Sequence, residues 1–186
     1  MGTDNIHETN PQLLLANEFV EYTHQNIFLT GKAGTGKTTF LRNLRQTCPK
    51  RMVVLAPTGV AAINAGGVTI HSFFQLPFTP FIPEQQPFIN SKNKDGESKE
   101  SFVHKMTLNK IKLIRSLDLL IIDEISMVRA DLLDAIDSML RRYRYNQKPF
   151  GGLQLLMIGD LNQLAPVVKE DEWRLLSEYY SNAYFF

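Results

Sequence analysis

Cysteine is nearly absent from this chain of 186 residues: Cys48 stands alone. One cysteine cannot close an internal bridge, so a disulfide-stapled scaffold is excluded and a reducing compartment is the simple reading. Long apolar runs are also missing, since none approaches the roughly 18 residues that a membrane span requires. The first residues carry no charged segment followed by an apolar one, which argues against a signal peptide. Met1-Gly2 opens like a myristoylation site, but Ile6 stands where Ser or Thr is needed. Charge of one sign is lacking too. Twenty Lys and Arg against nineteen Asp and Glu leave a net +1, so any site for a polyanion has to be local. His7, His24 and His104 show no ligand spacing, and no zinc site is expected. No internal repeat is present.

What is there is ordinary for a globular protein, with 44% hydrophobic and 21% charged residues. A chain of this length suggests one domain that buries roughly 68–70% of its unfolded surface. It is expected to be intracellular, free of the membrane and monomeric. A motor that moves two full domains against each other does not fit in this length.

Residues 1–10 are polar and read as loose. Leu14, Leu15, Phe19 and Val20 predict an amphipathic helix from Gln12 to Tyr22. Ile27–Leu29 reads as a buried strand, and Phe40, Leu41 and Leu44 mark a helix over Thr38–Gln46, with Cys48 half-buried near its end. Met52–Leu55 is a second strand, stopped at Pro57. Thr58 can cap a short helix that runs through Ile63 and ends at Gly66-Gly67. Residues 76–105, rich in proline and then in polar residues, read as a long surface excursion. Leu108, Ile111, Ile114 and Leu117 mark a helix, and Leu119–Ile122 a third strand. A helix over Asp131–Arg142 should turn Leu132, Leu133, Ile136 and Leu140 inward. Leu153–Ile158 is a fourth strand and Glu172–Tyr179 a last helix, on which Trp173 should pack. Short apolar strands alternating with helices predict an α/β fold whose mostly parallel sheet is covered on both faces, three layers in all. Ligands bind such sheets beyond the C-terminal ends of the strands.

The unusual residues stand at those ends. Gly31-Lys32-Ala33-Gly34-Thr35-Gly36-Lys37-Thr38 fits the phosphate-loop pattern between a strand and a helix. Its glycines let backbone N–H groups wrap a phosphate, and the helix start adds its positive end. Lys37 should reach the β- and γ-phosphates of ATP, and the Thr38 hydroxyl should ligate Mg²⁺. Asp123-Glu124 closes the third strand. Asp123 would hold the metal and Glu124 would polarise an attacking water as general base. Gly159-Asp160-Leu161-Asn162-Gln163 follows the fourth strand, where Gln163 can contact the γ-phosphate or the lytic water.

Together the segments Gly31–Thr39, Ala56–Asn64, Thr69–Phe73, Asp123–Val128 and Gly159–Val167 resemble, in order and spacing, the PIF-type DNA helicases. These are RecD-related superfamily 1 enzymes that travel 5′ to 3′. Ser126–Gly152, ending in Lys148-Pro149-Phe150-Gly151-Gly152, looks like that family's signature segment. The resemblance implies a RecA-like P-loop ATPase domain over residues 26–186, preceded by an N-terminal segment over 1–25. It implies an ATP site built from Gly31, Ala33, Gly34, Thr35, Gly36, Lys37, Thr38 and Thr39, with Asp123, Glu124 and Gln163 as metal, base and sensor positions. Pro57, Thr58, Gly59, Ala61 and Ala62, with His71 and Ser72, match segments that line a single-stranded DNA track, although His71 and Phe73 also suit simple packing. Gln12 resembles the glutamine that meets adenine, but Pro11 replaces the usual preceding Glu. Ala165 replaces a proline usual after Gln-Leu. Arg141–Tyr145, basic with interleaved tyrosines, suits either a DNA or partner contact or a helix end whose Arg stems cover apolar surface.

The implied function is the ATP-hydrolysing part of a helicase that acts on single-stranded DNA or DNA junctions. The second RecA-like domain of such enzymes, with its arginine finger, has no room after Val167. Two other classes suit the residues: a small P-loop kinase, and a nucleotide-binding interaction module without catalysis. Asp123-Glu124 paired with Gln163 favours water as acceptor over a kinase substrate.

Overall fold

A computed structural model describes residues 10–82 and 106–186. The readings made for residues 1–9 and for the stretch 83–105, with His7 and His104, lie outside the described residues. The elements in chain order are α1 (Pro11–Tyr22), β1 (Ile27–Thr30), α2 (Lys37–Thr47), β2 (Met52–Ala56), α3 (Gly59–Ala65), β3 (Val68–Thr69), α4 (Ile70–Phe74), α5 (Leu108–Ser116), β4 (Leu119–Ile122), α6 (Ala130–Arg144), β5 (Gln154–Gly159) and α7 (Glu170–Leu176). The five strands form one sheet in the order β1-β5-β4-β2-β3, and every pairing is parallel.

Strand β4 shows why the sheet sits inside. All four of its residues, Leu119 to Ile122, are fully buried. Successive side chains point to opposite faces, so Leu119 and Ile121 join one core and Leu120 and Ile122 the other. The first core is made with Leu13, Ala16 and Val20 of α1 and with Phe40, Leu41 and Leu44 of α2. The second is made with Ile70, Phe73 and Phe74 of α4, Ile114 of α5, and Ala135, Ile136, Met139 and Leu140 of α6. Burying each such side chain contributes about 1.5–3 kcal/mol, which is what holds the three layers together.

Several expectations are corrected. In α1 the inward face is Leu13, Ala16 and Val20, whereas Leu14, Leu15 and Phe19 are largely exposed. The residues at helical spacing on the sheet side win, and bulk alone does not select the face. Leu108 opens α5 from an exposed position, and Leu132 and Leu133 are only half-buried. A fifth strand, β3, and helix α4 follow Gly67. A Cβ at Gly67 would lie 2.2 Å from the Val54 carbonyl oxygen, so only glycine lets this crossover lie against β2. The described start of the excursion, residues 76–82, is not purely superficial, because Leu76 and Phe81 are buried. The last helix begins two residues early, at Glu170, and closes at Leu176.

Three residues of the basic run at the end of α6 hold the fold together, while Arg142 and Tyr145 are exposed. Arg144 donates to the carbonyls of Ile114 (2.8 Å), Leu117 (3.0 Å) and Gly151 (3.0 Å), and Arg141 pairs with Asp137. Tyr143 is buried. The segment Lys148–Gly152 turns through positive φ at Phe150, Gly151 and Gly152. The Phe150 amide donates to the Asp137 carboxylate. This corner carries the chain from α6 into β5. Among the described residues no helix is long and apolar enough to cross a membrane.

Candidate functional site

Parallel strands bring their C-terminal ends to one edge, and each end there leads into a loop with chemistry. At β1 the Gly31 amide donates to the Gly159 carbonyl at 3.2 Å, which joins the phosphate loop to the end of β5. Gly34 (φ 80°) and Gly36 (φ 91°) take left-handed conformations that side chains rarely adopt. Thr35 ties the loop to itself through the Lys32 carbonyl, 2.9 Å from its hydroxyl. Helix α2 starts at Lys37 with Gly36 as N-cap and no side-chain cap. Its first amides therefore face the loop, the arrangement that suits an anion. The Lys37 ammonium lies across the loop, donating to the carbonyls of Gly31 (2.5 Å) and Lys32 (2.9 Å). Thr38 is exposed and Thr39 half-buried in the same first turn.

At β4 the Asp123 amide extends the ladder to Leu55 (2.8 Å). The chain then turns through Glu124 at φ 53°, an uncommon conformation for a non-glycine residue and one that clusters at functional sites. The Glu124 amide donates to Asp123 Oδ1 at 3.0 Å. Burial raises the Asp123 pKa above its ordinary value, opposed by that hydrogen bond and by the Lys37 charge. Burial also raises Glu124, helped by the negative charges of Asp123 and Asp160 and opposed by Lys37. The negative charges of Asp123 and Asp160 thus act on Glu124 against that of Lys37. Among the described residues no three His, Cys, Asp or Glu side chains are grouped so as to hold a metal by themselves. A carboxylate and a hydroxyl, with phosphate oxygens completing the shell, are nevertheless the donor chemistry Mg²⁺ takes.

At β5, Asp160 is 6% exposed. Its carboxylate accepts from the Asn162 amide and its carbonyl from the Gln163 amide, both at 3.0 Å. This turn holds Gln163 outward on the surface. Asp160 was not singled out by sequence; the signal available was its place directly after a buried strand.

At β2 the Thr58 side chain caps α3 by accepting from the Ala61 amide at 3.2 Å. Pro57, Thr58, Gly59 and Ala61 are accessible to differing degrees, but Ala62 is 4% exposed and faces the core. Its side chain therefore offers no surface, a correction to its assignment to the track. Val60 and Ile63 of the same helix are strongly exposed. Thr69 caps α4 through the Ser72 amide, leaving Ser72 exposed and His71 partly so. The His71 ring stacks on Phe78 at 4.5 Å between centroids. Burial, and then the Arg129 charge, lower the His71 pKa. Phe73 is buried, with Lys110 over its ring, so of the two aromatics it is the one that packs.

Gln12 lies exposed in the first turn of α1, its amide donating to the capping Asn10 side chain at 3.1 Å. Pro11 takes the first helical position, where a missing N–H costs nothing and a fixed φ helps. That accounts physically for the departure from Glu. Helix α1 shares its core with α2, which places Gln12 on the phosphate-loop face of the sheet.

Set beside known proteins, residues 13–177 match the family described as PIF1-like helicase. The ATP-dependent DNA helicase PIF1 of Candida albicans is 37% identical over 187 residues, covering 90% of this chain and 19% of that protein. A structure addressing DNA unwinding at forked duplex DNA by two coordinating Pif1 helicases superposes with TM-score 0.81 at 44% identity, covering 95% of this chain and 39% of the other. Pif1 helicase from Bacteroides in complex with ADP-AlF3 and ssDNA gives TM-score 0.77 at 42% identity, covering all of this chain and 38% of the other. The chain thus spans about a fifth of the curated relative's length.

Proposed function

The chain belongs to the PIF1-like helicase family, and from that premise we propose that it is the ATP-binding and ATP-hydrolysing unit of a 5′-to-3′ DNA helicase. The observation that carries this reading is the convergence at one sheet edge of Gly31–Thr38, Asp123-Glu124 and the Gln163 loop, with β1 and β5 tied through Gly31 and Gly159.

The roles follow from chemistry. The glycine-supported amides and the Lys37 ammonium take the phosphates, exchanging the loop's own carbonyls for stronger charged partners. Thr38 and Asp123 are the residues that would hold Mg²⁺, which when bound neutralises charge on the phosphates. Glu124, with its pKa raised by burial and by two neighbouring carboxylates, is a stronger base for a water than an ordinary glutamate. Gln163 meets that water or the γ-phosphate and passes the state of the nucleotide to the Asp160 turn. Gln12 contributes to adenine recognition. Thr58, Gly59, Ala61, His71 and Ser72 carry single-stranded DNA or junction DNA along the adjoining edge, where small residues let a phosphate backbone approach. The Bacteroides relative was captured with both ADP-AlF3 and ssDNA, which supports both parts.

A second RecA-like domain completes the site, and its arginine finger would supply about 10³–10⁵ in rate. The chain alone therefore binds ATP–Mg²⁺ weakly, turns it over slowly and does not unwind duplex; it acts inside the cell, as a monomer. The test is ATPase activity with and without single-stranded DNA, measured on this chain and on a longer polypeptide carrying both domains. DNA stimulation of the longer form alone is expected. Robust strand separation by the 186-residue chain, or no stimulation of either form, overturns the reading.

A further inference from the structure

We propose that Phe78 is a nucleobase-stacking residue, its exposed ring seated on His71 and forming the wall of a cleft that receives a base of single-stranded DNA. This rests on the DNA-binding reading above and names a contact that reading does not contain. Phe78 is 81% exposed, whereas Leu76 and Phe81 on either side are each 6% exposed. The stretch Leu76–Phe81 thus spends two of its apolar side chains on the core and presents the third to solvent. Its backbone is held: Pro77 and Pro80 fix their φ angles, and the Phe81 amide donates to the buried Asp131 carboxylate at 3.0 Å. The ring is therefore fixed in position and lies at 24° to the His71 plane, within the range of favourable offset stacking.

The cleft beside it has a volume of about 250 Å³ and is lined by Pro57, Thr58, His71, Phe78, Met127 and Val167, among others. It suits a planar ring more than a folded partner. Its charge points the same way. Arg129 reaches the lining, but its guanidinium is committed to Asp131 at 2.7 Å and Glu172 at 2.6 Å. Among the described lining residues that leaves no unpaired cation for a phosphate. What the cleft offers is mainly aromatic and aliphatic surface, with the Thr58 and Thr79 hydroxyls beside it, and apolar surface of this kind recognises the uncharged face of a base and tolerates any sequence. It also continues the edge carrying Thr58 and His71, where the backbone of the same strand would pass.

The test uses the 186-residue protein with fluorescently labelled oligonucleotides. Phe78→Ala should weaken single-stranded DNA binding roughly tenfold, by the same factor at low and high salt, since stacking releases no counterions. Phe78→Trp should keep binding within about twofold and quench a 2-aminopurine base in the strand. On an abasic strand, wild type and Phe78→Ala should bind alike. Affinity for an ATP analogue should not change in either variant. Equal binding of base-containing DNA by wild type and Phe78→Ala overturns the assignment and leaves the functional reading intact. A loss that persists on abasic DNA, or that changes the salt slope, makes the ring a backbone contact and also overturns it. If Phe78→Ala instead dissolves a dimer or unseats another segment of the same polypeptide, the ring is a protein contact and the proposal falls. Absence of DNA binding by the wild type sinks both.

Discussion

The Gly31 amide and the Gly159 carbonyl are joined by a 3.2 Å hydrogen bond, so the phosphate loop and the Gln163 turn leave the sheet from a shared point. Gly159 has no room for a side chain. A Cβ there would lie 2.8 Å from Ile125 Cγ2 and 3.3 Å from the backbone nitrogens of Ile125 and Ser126. Gly159→Ala must push apart the β5 end and the turn after Glu124, at a cost of about 1–3 kcal/mol. The expected outcome is a lower thermal midpoint together with weaker nucleotide binding, read by calorimetry. A variant with both properties unchanged would show that the loops are not mechanically joined here.

Lys37 and Glu124 should separate binding from turnover. Lys37→Ala removes the lysine whose charge, among the described residues, acts on both Asp123 and Glu124, and it should abolish measurable ATP binding. Glu124→Gln keeps the shape and loses the base, so binding should persist while hydrolysis falls by about 10²–10⁴. Titration calorimetry and a phosphate-release assay check the two. Unchanged affinity in the first, or unchanged rate in the second, removes the corresponding role.

Asp123 gives a prediction in pH. Its pKa is raised in the folded protein, chiefly by burial. A carboxyl with a raised pKa binds more protons folded than unfolded, so its charged form costs stability as pH rises above the ordinary carboxylate value. Below that value it costs none. Asp123→Asn should therefore raise the melting temperature of the nucleotide-free protein at neutral pH, by a few degrees. The gain should shrink as pH falls through the acid range, and Mg²⁺-dependent nucleotide affinity should be lost. A melting temperature lowered at pH 7, or raised equally at all pH values, would contradict the sign.

The phosphate loop, Asp123-Glu124 and β4 were legible in the sequence because each depends on neighbours in the chain: a glycine pattern, a buried run and its end. Four of five strands were legible for the same reason. Strand β3 was not, because two residues, Val68 and Thr69, carry no period, and their pairing depends on the close approach of Gly67 to Val54. Of the residues that mark α1 in the sequence, Val20 faces inward while Leu14, Leu15 and Phe19 do not, because Leu15 and Phe19 share a helical stripe as regular as that of Leu13, Ala16 and Val20. Only the sheet decides between them. The Arg144 contacts are invisible in the sequence for a related reason, since the carbonyls of Ile114 and Leu117 lie 30 and 27 residues away along the chain. Glu124 at positive φ and the stacking of His71 on Phe78 likewise follow from tertiary placement.

Asp131 should be the most sensitive residue outside the site. It is 2% exposed and accepts from Arg129 Nε at 2.8 Å, Arg129 Nη2 at 2.7 Å and the Phe81 amide at 3.0 Å. Arg129 in turn reaches Glu172 of α7 at 2.6 Å. Asp131→Ala leaves a buried amide without its acceptor and a half-buried guanidinium with one carboxylate in place of two, a loss of about 3 kcal/mol. Glu172→Ala, with Asp131 still present to pair Arg129, should cost about 1 kcal/mol or less. Because the Phe81 amide anchors the stretch that carries Phe78, Asp131→Ala should also loosen single-stranded DNA binding, whereas Glu172→Ala should leave it unchanged. Urea denaturation and anisotropy titrations measured on both variants decide the matter. Equal destabilisation by the two would show that the carboxylates are interchangeable partners of Arg129 and that the Phe81 anchor contributes nothing.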